Sequence, residues 1–117
     1  MDDNIVMVKA LQRAVSNADK PAIGFTTTAE AFAYLHADHA EPIELFIIDY
    51  HLREMSGPVF ITEVKRIFPL LQDVPVFILS SDNKIDEREF ADLNIVEYVL
   101  KPFSIKGLAE KIAAALV

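Results

Sequence analysis

Residues 45–49 read Leu-Phe-Ile-Ile-Asp, an apolar run that ends on a carboxylate. A run this short, rich in Ile and Phe and without polar alternation, predicts a strand buried on both faces, as strands of a parallel sheet are. Two further runs share the form: Val74–Leu79 stops at Ser80-Ser81, and Tyr98–Leu100 stops at Lys101. A fourth strand is expected at Ala22–Thr26. Amphipathic stretches lie between these runs, the alternation that crossover helices produce on a parallel sheet. Thr27 with Glu30 forms a capping box ahead of a helix at Ala29–His36, and Pro58 opens a helix that Pro69 closes. Helices are also expected at Asp86–Asp92 and, after a Ser104 cap, at Ile105–Leu116. At the start, Asn4–Ala18 spaces Ile5, Val8, Leu11 and Val15 three or four residues apart, which predicts an amphipathic helix.

The chain as a whole sets bounds on what this fold can do. Its 117 residues suit one domain with a continuous core. Although 52% of the residues are hydrophobic, no apolar run approaches the roughly 20 residues that span a bilayer, and no signal segment opens the chain. A cytoplasmic location is expected, with no membrane partner. There are no cysteines, so disulfides and thiolate chemistry are excluded. The net charge of −7, with eleven scattered Lys and Arg, opposes direct nucleic-acid binding and favours a magnesium ion or a basic partner surface.

In an open parallel sheet, ligands bind beyond the carboxyl ends of the strands. Here those ends carry Asp49, Ser80 and Lys101. Each alone reads as ordinary strand termination; a carboxylate, a hydroxyl and an ammonium on one rim form a complementary set. A carboxylate can attack a phosphoryl group to form an aspartyl-phosphate if the charge on the phosphoryl oxygens is neutralised. Lys101 and Ser80 can supply part of that. Magnesium, which prefers a few carboxylates with phosphate oxygens and retained water, can supply the rest. The adjacent Asp2-Asp3 pair is a candidate for holding it, although adjacent aspartates are also common helix caps.

The set Asp2-Asp3, Asp49, Ser80 and Lys101-Pro102-Phe103 resembles the receiver domains of two-component response regulators. Met55 and Gly57 after Asp49 look like the family's phosphoacceptor loop, and 52 residues separate Asp49 from Lys101, as in a receiver. The resemblance covers essentially the whole chain except its beginning and implies one receiver domain over residues 1–117, a flavodoxin-like doubly wound parallel sheet ordered 2-1-3-4-5 without the usual first strand before Asp2. It implies a signalling domain, not an enzyme, in which Asp49 accepts phosphate from a histidine kinase or phosphotransfer protein. Mg2+ would be held by Asp2, Asp3, Asp49 and the backbone carbonyl of His51. Ser80 would bind the phosphoryl group, Lys101 would pair with phosphorylated Asp49, and the Lys101-Pro102 peptide would be cis. Tyr98 matches the aromatic switch position, with an ordinary strand aromatic as the plainer reading. The last two helices and the last strand would form the face for a homodimer or an effector.

Some departures from the family pattern are small. Arg53 stands where proline is frequent, Ser80 replaces threonine, and Ser81 replaces alanine or glycine and narrows access to Asp49. His51 and Asp82 occupy positions that tune hydrolysis of the acyl phosphate. One departure is large: the family's first, central strand should precede the acidic pair, where this chain has only Met1. Three arrangements answer it: upstream residues of a longer chain that form the strand and make Met1 its last residue, displacement of Ile5–Val8 from helix to strand with loss of the magnesium site, or a strand exchanged from another molecule. The 20 residues from Asp3 to Ile23 suit a helix and its loop, which favours keeping the acidic pair at the rim. Two rival functions remain. One is a phosphate-independent receiver fold used for dimerisation or docking. The other, a haloacid-dehalogenase-like phosphatase, wants an aspartate at position 51, where this chain has His.

Overall fold

The computed structural model describes residues 1–37, 42–81 and 92–116. Strands β1 (Phe46–Asp49), β2 (Val76–Ser80) and β3 (Ile95–Leu100) form a parallel sheet in the order β1-β2-β3. Phe46 to Asp49 align with Val76 to Leu79, and Ile78 to Ser80 align with Tyr98 to Leu100. Every residue of β2 is buried, which is why its sequence shows no polar alternation. The ladder begins at Val76 and not at Val74: Pro75 has no N–H to donate, although its carbonyl accepts from Phe46 N–H at 3.0 Å. At the edge, β3 starts three residues before the expected Tyr98, because Glu97 interrupts the apolar pattern of a half-exposed strand.

Helices cover both faces: α1 (Ile5–Asn17), α2 (Thr28–His36), α3 (Gly57–Ile67) and α4 (Ile105–Ala115), with a 3-10 turn at Pro69–Leu71. Each has a side-chain N-cap. Asn4 accepts from Val6 N–H at 2.9 Å, Thr27 from Glu30 N–H at 3.2 Å, Ser56 from Val59 N–H at 3.3 Å and Ser104 from Gly107 N–H at 2.9 Å. Alternate strand residues feed two cores. Phe46, Ile48, Val76 and Ile78 pack with Phe60, Ile61 and Val64 of α3. Phe77, Leu79 and Val99 pack on the other face with Leu11 and Ala14 of α1 and Leu108 and Ile112 of α4. Burying each such side chain is worth about 1.5–3 kcal/mol. The helix expected at Asp86–Asp92 lies outside the described residues except for Asp92.

Two features depart from the sequence reading. Ala22–Thr26 is not a strand. Its neighbour on the β1 side is only the start of the chain: Asp2 N–H donates to Phe25 C=O at 3.2 Å, and a ladder cannot form on one rung. Gly24 lets α1 lie close over this segment, since a Cβ there would collide with Val8. The second feature is Lys65, which is buried although α3 reads as amphipathic with basic residues outward. Its ammonium donates to the carbonyls of Gln72, Val74 and Leu93 at 2.9, 2.9 and 2.7 Å, tying α3 to the approaches of β2 and β3.

Candidate functional site

The parallel register carries the three strand ends to one rim. Asp49 closes β1 opposite Leu79, Ser80 closes β2 opposite Leu100, and Lys101 follows directly, its N–H donating to Ser80 C=O at 2.7 Å. The start of the chain reaches the same rim. The Met1 ammonium donates to Ile47 C=O at 2.7 Å, and Met1 C=O accepts from Asp49 N–H at 2.9 Å. Met1 and Asp2 therefore run parallel to β1, and Ile5–Val8 stay within α1. The displaced-strand arrangement is not the one adopted, because the Asn4 cap commits the chain to helix immediately after the acidic pair.

The side chains converge. Lys101 Nζ lies 2.9 Å from Asp49 Oδ1 and 3.1 Å from Asp2 Oδ2, and Asp2 Oδ1 accepts from Asn4 N–H at 3.0 Å. Asp2 and Asp49 are buried, Asp3 and Lys101 half-buried. Carboxylate oxygens of Asp2, Asp3 and Asp49 lie within 4.8 Å of one another. Two of the carboxylates, Asp2 and Asp49, share one lysine, Lys101. Burial pushes the Asp49 carboxyl above its usual value, the Lys101 hydrogen bond opposes this, and the negative charge of Asp2 adds to it. Burial acts to lower Lys101, but hydrogen bonds and attraction from Asp49 and Asp2 outweigh it and hold the ammonium above its ordinary value. The Met1 amine, desolvated beside them, is lowered to about 6.

The loop after β1 is pinned close to Asp49. Gly57 N–H donates to Tyr50 C=O at 2.7 Å, and His51 bridges to Ser56. A Cβ on Gly57 would collide with the Asp49 carbonyl, so only glycine lets the start of α3 approach this closely. His51 is exposed, its ring centroid 4.7 Å from that of Tyr50. Ser80 is buried, Ser81 is exposed, and Tyr98 lies on β3 opposite Ile78 with 37% of its surface exposed. The Lys101-Pro102 peptide is cis. Asp82 lies outside the described residues. One arrangement expected from the sequence makes Met1 the last residue of the missing strand, and the Met1 backbone lies beside β1 in that way and sets the height of Asp2.

The profile of the response regulator receiver domain family matches residues 1–113. The chain belongs to this family. A two-component response regulator of rice, Oryza sativa subsp. japonica, is 28% identical over 109 residues, covering 92% of this chain and 88% of the relative. The chemotaxis protein CheY of Pseudomonas aeruginosa is 31% identical over 94 residues, covering 77% of this chain and 75% of that protein. Among solved structures, the chemotaxis protein CheY4 of Vibrio cholerae superposes with a TM-score of 0.84 at 18% identity, over 98% of this chain and 93% of that one. That likeness concerns the fold, and it makes the flavodoxin-like α/β assignment firm. Receiver domains typically bind Mg2+, and the donor set here suits it: small hard cations take oxygen ligands and keep water, and three clustered carboxylates partly open to solvent provide both. No helix among the described residues is long and apolar enough to cross a membrane.

Proposed function

We propose that this receiver domain, acting as one unit over residues 1–117 in the cytoplasm, accepts a phosphoryl group on Asp49 from a histidine kinase or phosphotransfer protein. The observation that carries the reading is the Asp49 carboxylate at the end of β1, 2.9 Å from Lys101 and clustered with Asp2 and Asp3. A carboxylate oxygen of Asp49 attacks phosphorus, a P–O bond forms, and the P–N bond of the phosphohistidine breaks with its electron pair returning to the imidazole. Lys101 keeps its proton throughout and pairs with the phosphorylated side chain. Asp2, Asp3, Asp49 and the His51 backbone carbonyl would hold Mg2+, which when bound offsets charge on the phosphoryl oxygens. Ser80, one register step beyond Asp49, would donate its hydroxyl to the phosphoryl group, and Tyr98 would turn from its exposed position as Ser80 moves. A hydrogen bond to a charged group is worth roughly 1.5–3 kcal/mol, enough to shift a two-state equilibrium about ten- to a hundredfold. The exposed edge formed by β3 and α4 would then meet a second copy or an effector.

The test is incubation with acetyl phosphate and Mg2+, followed by intact mass against an Asp49→Ala variant. A gain of one phosphoryl group by the parent alone supports the reading. No gain by a folded parent removes it and leaves a phosphate-independent docking module.

A further inference from the structure

Asp2 is 1% exposed, and each of its carboxylate oxygens has its own partner. Oδ2 faces the Lys101 ammonium at 3.1 Å, and Oδ1 accepts from the backbone N–H of Asn4 at 3.0 Å. Bonds to both oxygens fix the rotation of the carboxylate as well as the direction of its stem. The way Asp2 presents its charge to the rim therefore depends on where the Asn4 amide is held.

That amide is held by the side chain of the same residue. Asn4 is the N-cap of α1: its backbone is extended, at φ −101° and ψ 116°, while its Oδ1 accepts from Val6 N–H at 2.9 Å and Met7 N–H at 3.4 Å. One residue thus bonds in two directions. Its side chain satisfies the first free donors of the helix, and its main-chain N–H reaches back to Asp2. Asp3 lies between the two bonded residues, so its half-buried carboxylate is carried on the same short bend. An uncharged cap suits this place, because an aspartate there would add a negative charge beside a cluster that already holds three carboxylates.

We propose that Asn4 is a positioning residue for the carboxylate cluster: by capping α1 it holds the amide that orients Asp2 for a divalent cation. The proposal rests on the reading that Asp2, Asp3 and Asp49 hold Mg2+. Without the cap the first turn of α1 frays, the amide of residue 4 moves with it, and Asp2 has to be ordered again each time the ion binds. Ordering one side chain on binding costs about two- to tenfold in affinity.

The test compares the full chain with three variants, each confirmed as folded by circular dichroism. Asn4→Ala removes the cap but keeps the backbone N–H, and Asn4→Ser keeps both. Thr27→Ala removes the cap of α2, whose Oγ1 accepts from Glu30 N–H, and measures what the loss of a cap does through stability alone. Mg2+ affinity is read by calorimetry, and hydrogen exchange of the residue 4 amide is read by NMR in the metal-free protein. Asn4→Ala is expected to bind Mg2+ at least about threefold more weakly and to exchange that amide about tenfold faster, while Asn4→Ser and Thr27→Ala stay within about twofold of the parent. Equal affinity in Asn4→Ala and in a parent that binds the ion overturns the proposal. So does an equal loss in Thr27→Ala, which would make the effect one of stability, and so does a weakened Asn4→Ala whose residue 4 amide exchanges as in the parent. Failure of the phosphoacceptor reading shows separately, as an unlabelled parent mass after acetyl phosphate, and does not enter these measurements.

Discussion

Replacing Lys65 with Met should destabilise the fold by about 2–4 kcal/mol. The side chain is 7% exposed and its ammonium holds three carbonyls, of which only the Leu93 bond is fully buried. Losing the donor leaves the Leu93 carbonyl at the full cost of a buried unsatisfied group, about 1–3 kcal/mol, while those of Gln72 and Val74 recover some water and cost about 1 kcal/mol each. Met keeps most of the apolar stem and removes the cost of burying a charge, which offsets about 1 kcal/mol of that sum. For a domain of this size the shift in midpoint is roughly 10–25 °C. Urea unfolding at matched m-value measures it. The parent should also gain stability as pH rises: burial lowers the Lys65 pKa in the fold, so between that value and the ordinary lysine value the unfolded chain binds more protons and alkaline conditions favour folding. Lys65→Met should flatten that slope. A variant within 0.5 kcal/mol of the parent would refute the clamp.

Three further outcomes test the rim. Gly57→Ala should cost about 1–3 kcal/mol by chemical denaturation and lower acetyl-phosphate labelling of Asp49, because the new Cβ meets the Asp49 carbonyl; an unchanged variant would show that α3 can retreat freely. Asp2→Asn should weaken Mg2+ binding by about tenfold or more in calorimetry, since it removes one charge from a three-carboxylate cluster; equal affinity would place the ion elsewhere. With Lys101→Met, Asp49 loses its hydrogen-bonding cation, so its carboxyl should titrate higher still by NMR, and a downward movement would contradict the pairing.

The rim was legible because apolar runs of a buried parallel sheet end abruptly, and whatever follows is solvent-facing chemistry: Asp49, Ser80 and Lys101 each mark such an end. Helix starts were legible for a local reason, the caps at Thr27 and Ser104 being written within three residues of what they cap. Pairing is not local. Ala22–Thr26 has strand composition but forms no ladder, the bond from Asp2 to Phe25 being a single rung, because a ladder needs a neighbour and composition carries no record of one. Lys65 was hidden for a related reason: a cation on an amphipathic helix reads as surface, and its three carbonyl partners come from 7, 9 and 28 residues away. Met1 was legible only through the family's register, which makes it the last residue of a strand, since its part in the site is purely that of backbone.

Because the Met1 nitrogen sits inside the sheet and bonds to Ile47, it is a poor place to attach a bulky or polar reporter. An affinity tag, a fluorophore or an acetyl group there would be threaded into the fold a few ångströms from Asp49, and a labelled preparation would report on its label as much as on the protein. Purification handles and probes belong beyond α4, at the opposite end of the polypeptide.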